Sequence, residues 1–505
     1  MSMEKSVIII GGGLGGLFCG AFLAKEGLRV TVLEKNATIG GGLQTFAREG
    51  VEFDTGMHTV VGMREGGTIR RLCQYLGIDD AMHLRDVDGL CSDKLYYMED
   101  HSVFEIANTR EGFINSLAAY FPKEKENLKK YVDAIYEMTR HIDILHLRRS
   151  EEVSLFAHSE DFLMPADAFI SRFTNDKRLQ AVLAYLCPLY GGVGDRTPAY
   201  VHAILMMLYI EGASRFEGGS RRFADLLCDV ICSHQGLVLT NEEVTWIEVN
   251  DRHVDEVVTR HGNEEKHFSA DYYISGIHPC TMLDIMPENA FPHSYSLRLR
   301  SVPNSYSAFC MFAKLKKDAF PYLNYSEYFL NKYDQIWEFD NPQSSWPMGF
   351  LLMTPPQIHQ GKYAEKAIIT APMRFDEVRR WENTKVGHRG KDYEDWKKDC
   401  TDRLMAFINR IHPGFSSYVE WVNTASPLTI RDYYGNKEGC LYGFSKDAHN
   451  IALSQLPVVT KVKNLLLTGQ SNNLHGFCGV PLTSLLTCEA ILGSNYLIDK
   501  INATT

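Results

Sequence analysis

No Cys-x-x-Cys pair occurs among the twelve cysteines of this 505-residue chain. That excludes a dithiol redox motif and the paired spacing of a structural zinc site. Cys228 and Cys232 share one face of a predicted helix in "ADLLCDVICSHQG", the pattern of two small packed side chains rather than of a metal site. Basic charge is not in excess either. The formal net charge is −11, which argues against a nucleic-acid partner, because a phosphate backbone calls for a basic surface. The short basic cluster "HLRRS" at 146–150 reads as a solvated face. The opening "MSMEKSVIII" has one lysine before its apolar run breaks at Gly11, unlike a signal peptide. The apolar run "AILMMLYI" at 203–210 is too short to cross a bilayer. These absences set a cytoplasmic location as the expectation and leave a peripheral membrane contact open. No internal repeat or low-complexity linker divides the chain, so its units are expected to be intertwined.

What is present begins with "SVIIIGGGLGGLFCGAFLAKEGLRVTVLEK". Val7 to Ile10 read as a buried strand, and Gly11, Gly13 and Gly16 complete G-x-G-x-x-G. Leu14 and Gly15 open an apolar helix that Gly27 closes, and "RVTVLE" is a second strand ending on Glu34, followed by Lys35. Each position has a physical task. Gly11 allows the tight turn, Gly13 lets backbone approach a pyrophosphate, and Gly16 lets helix and strand pack closely. The helix N-terminus faces the anion, and Glu34 can accept from a ribose diol. NAD and FAD both fit. The next segment, "NATIGGGLQTFAREGVEFDTGMHTVVG", carries a second glycine cluster through Gly41, Gly42 and Leu43. Such a cluster suits a longer cofactor, with a flavin beyond the diphosphate.

Far downstream, "NLLLTGQSNNLHGFCGV" has the same outline: an apolar strand, a loop from Gly469 and Gln470, and a helix start expected near Gly479 and Val480. Between the ends, 91–215 is mostly helical in pattern. Residues 281–424 alternate strands such as "YSAFCMFAKL" and "MGFLLMT" with one late helix, "DYEDWKKDCTDRLMAFINRI". In the centre, "VTWIEV" and "HVDEVVT" read as antiparallel strands and "HFSADYYISGI" as a later strand.

"GGGLQTF", "GVEFDTGMHTVVG", "YGGVGDRTPAY", "ASPLTIRDYYGNKEGCLYG" and the C-terminal glycine loop resemble the phytoene desaturase, carotenoid isomerase and retinol saturase family of FAD-dependent oxidoreductases, with motifs most similar to retinol saturase-like bacterial members. The resemblance implies an α/β fold: an FAD-binding Rossmann-type domain of the glutathione reductase and amine oxidase kind, with an inserted mixed α+β substrate domain. The cofactor domain is expected from 1–90, 216–280 and 425–505, and the substrate domain from 91–215 and 281–424. The resemblance places the backbone of Val244 at the adenosine end of FAD and brings the loop of Gly469, Gln470, Gly479 and Val480 to the flavin. Many relatives carry an aspartate soon after that loop's first glycine, where this chain has Gln470 and Ser471. The implied activity is addition or removal of hydrogen across carbon–carbon double bonds of a long apolar, polyene-like substrate, with saturation favoured. Desaturation, isomerisation, amine oxidation and non-catalytic lipid-cargo binding of the GDP-dissociation inhibitor kind are the alternatives. Only one complete dinucleotide fingerprint is present, so the electron donor or acceptor is not named by the sequence. His58 is the first expectation for a proton donor, with Tyr433, Tyr434 and His475 as rivals.

Overall fold

The computed structural model describes residues 5–56, 59–150, 160–262, 264–342, 346–451 and 455–504. Its core sheet is parallel, in the order Leu237–Leu239, Arg29–Leu33, Ser6–Ile10, Tyr272–Ser275, Leu465–Leu467. The central strand is buried on both faces, which is why it reads as an unbroken apolar run. Alternate residues serve alternate layers. Val7 and Ile9 pack with the helices Leu14–Lys25, Arg221–Ser233 and Gly476–Leu492. Ile8 and Ile10 pack with Val244, Ile247, Val254 and Val257 of an antiparallel sheet. That sheet pairs Glu243–Asn250, His253–His261 and Glu264–Phe268.

The stretch "HFSADYYISGI" is two strands rather than one. Glu264–Phe268 ends in the small sheet and Tyr272–Ser275 joins the core. Asp271 lies at the break, where its carboxylate accepts from the backbone N–H of Ser6 at 2.7 Å and from the Ser6 hydroxyl at 2.8 Å. The local contact with the central strand therefore interrupts the β pattern. Packing on this face also continues past 280: Met282, Phe291 and Leu299 belong to the same apolar layer.

The second large sheet has seven strands, in the order Val419–Ala425, Ser307–Leu315, Lys366–Met373, Gly349–Met353, Ser326–Leu330, Asp93–Tyr97, Ser102–Ile106. All neighbours are antiparallel except Ser326–Leu330 with Asp93–Tyr97. One face meets the helix Lys391–Ile411 through Phe329, Phe350, Leu352 and Leu404. The other turns Leu95, Tyr97, Tyr328, Leu330 and Leu351 toward a helical layer that includes Lys125–Arg140, Lys177–Leu183 and Ala199–Ile210. This layer shares one apolar cluster with the helices of the core sheet, so the two units pack as one body.

Among the described residues no single helix is long and apolar enough to cross a membrane. The pair Gly476–Leu492 and Tyr496–Thr504 passes by length and composition, but it bends by 118°. Most of its first member is buried against Leu14–Lys25, so it is a core helix here.

Candidate functional site

The first fingerprint folds as a strand, a tight turn and a helix whose N-terminus has no side-chain cap, which leaves its first N–H groups open to an anion. Gly11 has φ of +100°, and a Cβ on Gly16 would lie 2.0 Å from the Gly11 carbonyl oxygen. Only glycine fits that contact. The second cluster lies directly on the first. The Gly40 N–H donates to Gly12 O at 2.7 Å, and a Cβ on Gly41 would stand 3.1 Å from the Gly13 Cα. Gly41–Leu43 form one turn of 3-10 helix. Gly42 has open space where its Cβ would be. Leu43 is buried, and its carbonyl accepts from the Ser220 hydroxyl at 3.1 Å.

Glu34 is 5% exposed. Its carboxylate accepts from the backbone N–H groups of Gly12 and Asn36, each at 2.8 Å, so it shapes the glycine loop besides standing at the end of the second strand. Lys35 is exposed and donates to Asp432 O at 3.1 Å, which ties the N-terminal loop to 432–435 instead of presenting its charge inside the site. Val244 is buried two residues beyond Glu242, whose N–H donates to Glu34 O at 2.9 Å.

The C-terminal loop meets this assembly. A Cβ on Gly15 would fall 3.2 Å from the Gly469 Cα and 3.3 Å from the Val480 Cγ1. The Ser484 hydroxyl donates to Gly15 O at 3.1 Å. The helix, however, begins at Gly476 with His475 as N-cap, three residues before the expected start at Gly479. Gly479 lies inside the first turn, where a Cβ would come within 2.6 Å of the Leu474 Cβ. Its smallness lets the loop fold back, and Val480 packs against the first cluster. Gln470 is half-buried at the loop's start.

The four candidate proton donors have different fates. His58 lies outside the described residues. Tyr433 is 51% exposed, and its carbonyl accepts from the Asn36 side chain at 3.1 Å. That exposure removes it from any enclosed site. The Tyr434 hydroxyl donates to the Thr55 hydroxyl at 3.0 Å and lies so near Gly56 that a Cβ there would be 2.3 Å away. Burial raises the Tyr434 phenol above its ordinary range. His475 is lowered to about 3 by burial and then by the charge of Lys446, so it is neutral at physiological pH.

Three residues of this region escaped the sequence reading. Lys446 is 5% exposed, its ammonium donates to Asn472 O at 2.5 Å, and burial lowers it to about 7. The Asn472 side chain is 1% exposed, and its amide nitrogen has no partner among the described residues. Tyr442 packs on His475 with ring centroids 5.4 Å apart. Tyr442 also lines an apolar cavity. The lining is otherwise Leu95, Tyr185, Leu189, Tyr328, Phe339, Leu351 and similar side chains, with Thr370 the non-aromatic polar member. No motif marks these positions. Tyr442 stands in the same quoted stretch as Tyr433 and Tyr434, and spacing alone does not separate them.

The fold and these contacts define a class: a Rossmann-like domain within an amine oxidase-like architecture. Residues 9–76 match the NAD(P)-binding Rossmann-like domain family. A solved putrescine oxidase superposes with a TM-score of 0.62 over 97% of this chain and 99% of its own, at 13% identity. Along its whole length the chain resembles the retinol saturase and carotenoid desaturase-like oxidoreductases. All-trans-retinol 13,14-reductase from Rattus norvegicus is 28% identical over 532 residues, covering 98% of this chain and 87% of the relative. Prolycopene isomerase 2 from an Oncidium hybrid cultivar is 29% identical over 170 residues, covering 34% of this chain and 28% of the relative.

Proposed function

We propose that this protein is an FAD-dependent oxidoreductase that saturates carbon–carbon double bonds of a long apolar, polyene or retinoid-like substrate. The observation that carries the reading is the end-to-end similarity to an all-trans-retinol 13,14-reductase, 98% of this chain being covered. The glycine contacts fit a dinucleotide, because backbone meets backbone where any Cβ would block a diphosphate loop. Gly11, Gly13, Leu14, Gly15 and Gly16 would surround the diphosphate, with Glu34 and Val244 at the adenosine end. Gly41, Gly42, Gly469 and Val480 would line the path toward the isoalloxazine. When bound, the flavin supplies two-electron chemistry as a hydride donor or acceptor. The chain's part is to hold, orient and dry the reactants. Residues 1–90, 216–280 and 425–505 are read as the cofactor unit, and the remainder as the substrate unit.

The apolar cavity supports a hydrocarbon substrate, since ligand sites are concave and predominantly apolar. Amine oxidation is the second reading, favoured only by the shared architecture with putrescine oxidase. The test uses purified protein, its released cofactor identified by chromatography. The protein is then reduced with dithionite under anaerobic conditions and mixed with all-trans-retinol or a carotene. A product two hydrogens heavier is expected. Failure to retain or be reconstituted with FAD, or hydrogen peroxide release with amines and no polyene turnover, would overturn the proposal.

A further inference from the structure

Saturating a double bond consumes a hydride and a proton, and the proton needs a donor within reach of the substrate. Five tyrosines line the apolar cavity: Tyr96, Tyr97, Tyr185, Tyr328 and Tyr442. The Tyr96 hydroxyl donates to Glu327 at 3.0 Å, and that of Tyr185 to Asp93 at 3.1 Å. Tyr97 is stacked at 4.0 Å on Tyr333, and Tyr328 is buried edge-on against Tyr185 at 5.3 Å. Tyr442 differs in its place. It stands where the cavity meets the C-terminal loop, in ring contact with His475 at the start of Gly476–Leu492.

The backbone fixes it there. The Tyr442 N–H donates to the Ser305 hydroxyl at 3.0 Å. The next residue, Gly443, runs so close to the loop that a Cβ would lie 2.5 Å from the Ser471 Oγ. On its other flank a Cβ on Gly191 would stand 3.1 Å from the Tyr442 Cδ2. Segment and loop thus form one unit at this wall of the cavity.

We propose that Tyr442 is the catalytic proton donor to the substrate in this cavity, an assignment that rests on the reading of the protein as a double-bond reductase. In the step, one alkene carbon receives the hydride, with its two electrons, from the dihydroflavin. The Tyr442 O–H bond breaks, and its proton forms the new C–H bond at the neighbouring carbon as the π bond is consumed. The phenolate left behind regains a proton from water. Its transient negative charge develops beside an uncapped helix N-terminus, the favourable end of the helix dipole, with the buried Lys446 close to the same His475. Burial raises the Tyr442 phenol, so it stays protonated until substrate draws the proton away.

The test is Tyr442→Phe, which keeps the ring and removes the proton. Flavin content and all-trans-retinol binding, read by fluorescence quenching, are expected within twofold of wild type. Reoxidation of the pre-reduced variant by all-trans-retinol in a single turnover is expected at least about 100-fold slower, the typical worth of a general acid. In D₂O the wild-type product should carry one solvent deuterium, and the wild-type step a solvent isotope effect. A Tyr442→Phe protein that turns over at the wild-type rate overturns the donor role and leaves the reductase reading intact. So does loss of flavin or retinol binding in the variant, because the role would then be structural. A flavin-loaded wild type that reduces no polyene overturns the reductase reading and the donor role together.

Discussion

The glycine-built candidate cofactor site and the aromatic cavity are made of different materials. In the first, backbone touches backbone: the contact of Gly16 with Gly11 leaves no volume for a side chain, and a Cβ on Gly41 or Gly15 would press on the backbone of Gly13 or Gly469. In the second, rings from separate strands and helices enclose space, and each ring is one of several that could do so. A site of the first kind tolerates little substitution where backbone meets backbone. A site of the second kind can drift in shape while keeping its fold.

The sharpest way to break this contrast is Gly16→Ala. With a Cβ 2.0 Å from the Gly11 oxygen, the turn must open, at a cost of about 3 kcal/mol, and the protein should purify without flavin. Thermal unfolding and cofactor content check both. Next comes Glu34→Ala. The carboxylate holds two backbone N–H groups in the loop, so the variant should lose roughly 1.5–3 kcal/mol of FAD affinity and some apoprotein stability as well. Equal stability with weaker FAD binding would mean that Glu34 serves the ligand alone. On the cavity side, Leu189→Phe should weaken polyene binding about tenfold, or about 1.4 kcal/mol, and leave FAD content unchanged, as titration of each ligand will show.

The smallest effect is electrostatic. Burial lowers His202 to about 3, in a fully buried place between the hydroxyls of Tyr131 and Tyr190 at 2.6 and 3.1 Å. The unfolded chain takes up that proton below pH 6.5 and the folded chain does not. The contribution is therefore complete above pH 6.5 and is lost as pH falls toward 3. Asp93, raised by burial to about 6, acts oppositely, and its contribution fades as pH rises through 6. His202→Gln should remove under about 1 kcal/mol of the acid-side loss at pH 6, seen as a flatter dependence of Tm on pH.

The same contrast explains what the sequence disclosed. The fingerprint, Glu34 and the second glycine cluster were legible because backbone-limited sites demand one residue type at set spacings. The antiparallel pairing of Glu243–Asn250 with His253–His261 was legible from its alternation. The helix Gly476–Leu492 starts three residues before the expected Gly479, because Gly479 looks like a helix opener but serves as a packing gap against Leu474. Tyr442 and Lys446 carried no local mark. Their significance comes from neighbours at 471–475, across a strand and a loop, and from cavity walls drawn from several stretches spread over 95–442. Side-chain sites assembled from distant segments have no period or motif to read.

One feature of the core sheet bears on how the protein matures. The strand Ser6–Ile10 precedes its sheet neighbours in the chain, yet the sheet that holds it is completed by Leu465–Leu467, more than 450 residues on, and the loop beyond that strand closes over Gly15. Contacts of such long sequence separation form late, after the entropy of bringing distant segments together has been overcome. Until then the dinucleotide turn is half a site. On the proposed reading, flavin capture is therefore expected to follow synthesis of the strand Leu465–Leu467 and its loop rather than precede it, and a tightly bound cofactor would fasten these distant segments together by mass action on the closed form alone. Flavin supply during expression, rather than temperature, should then govern how much of the chain escapes degradation.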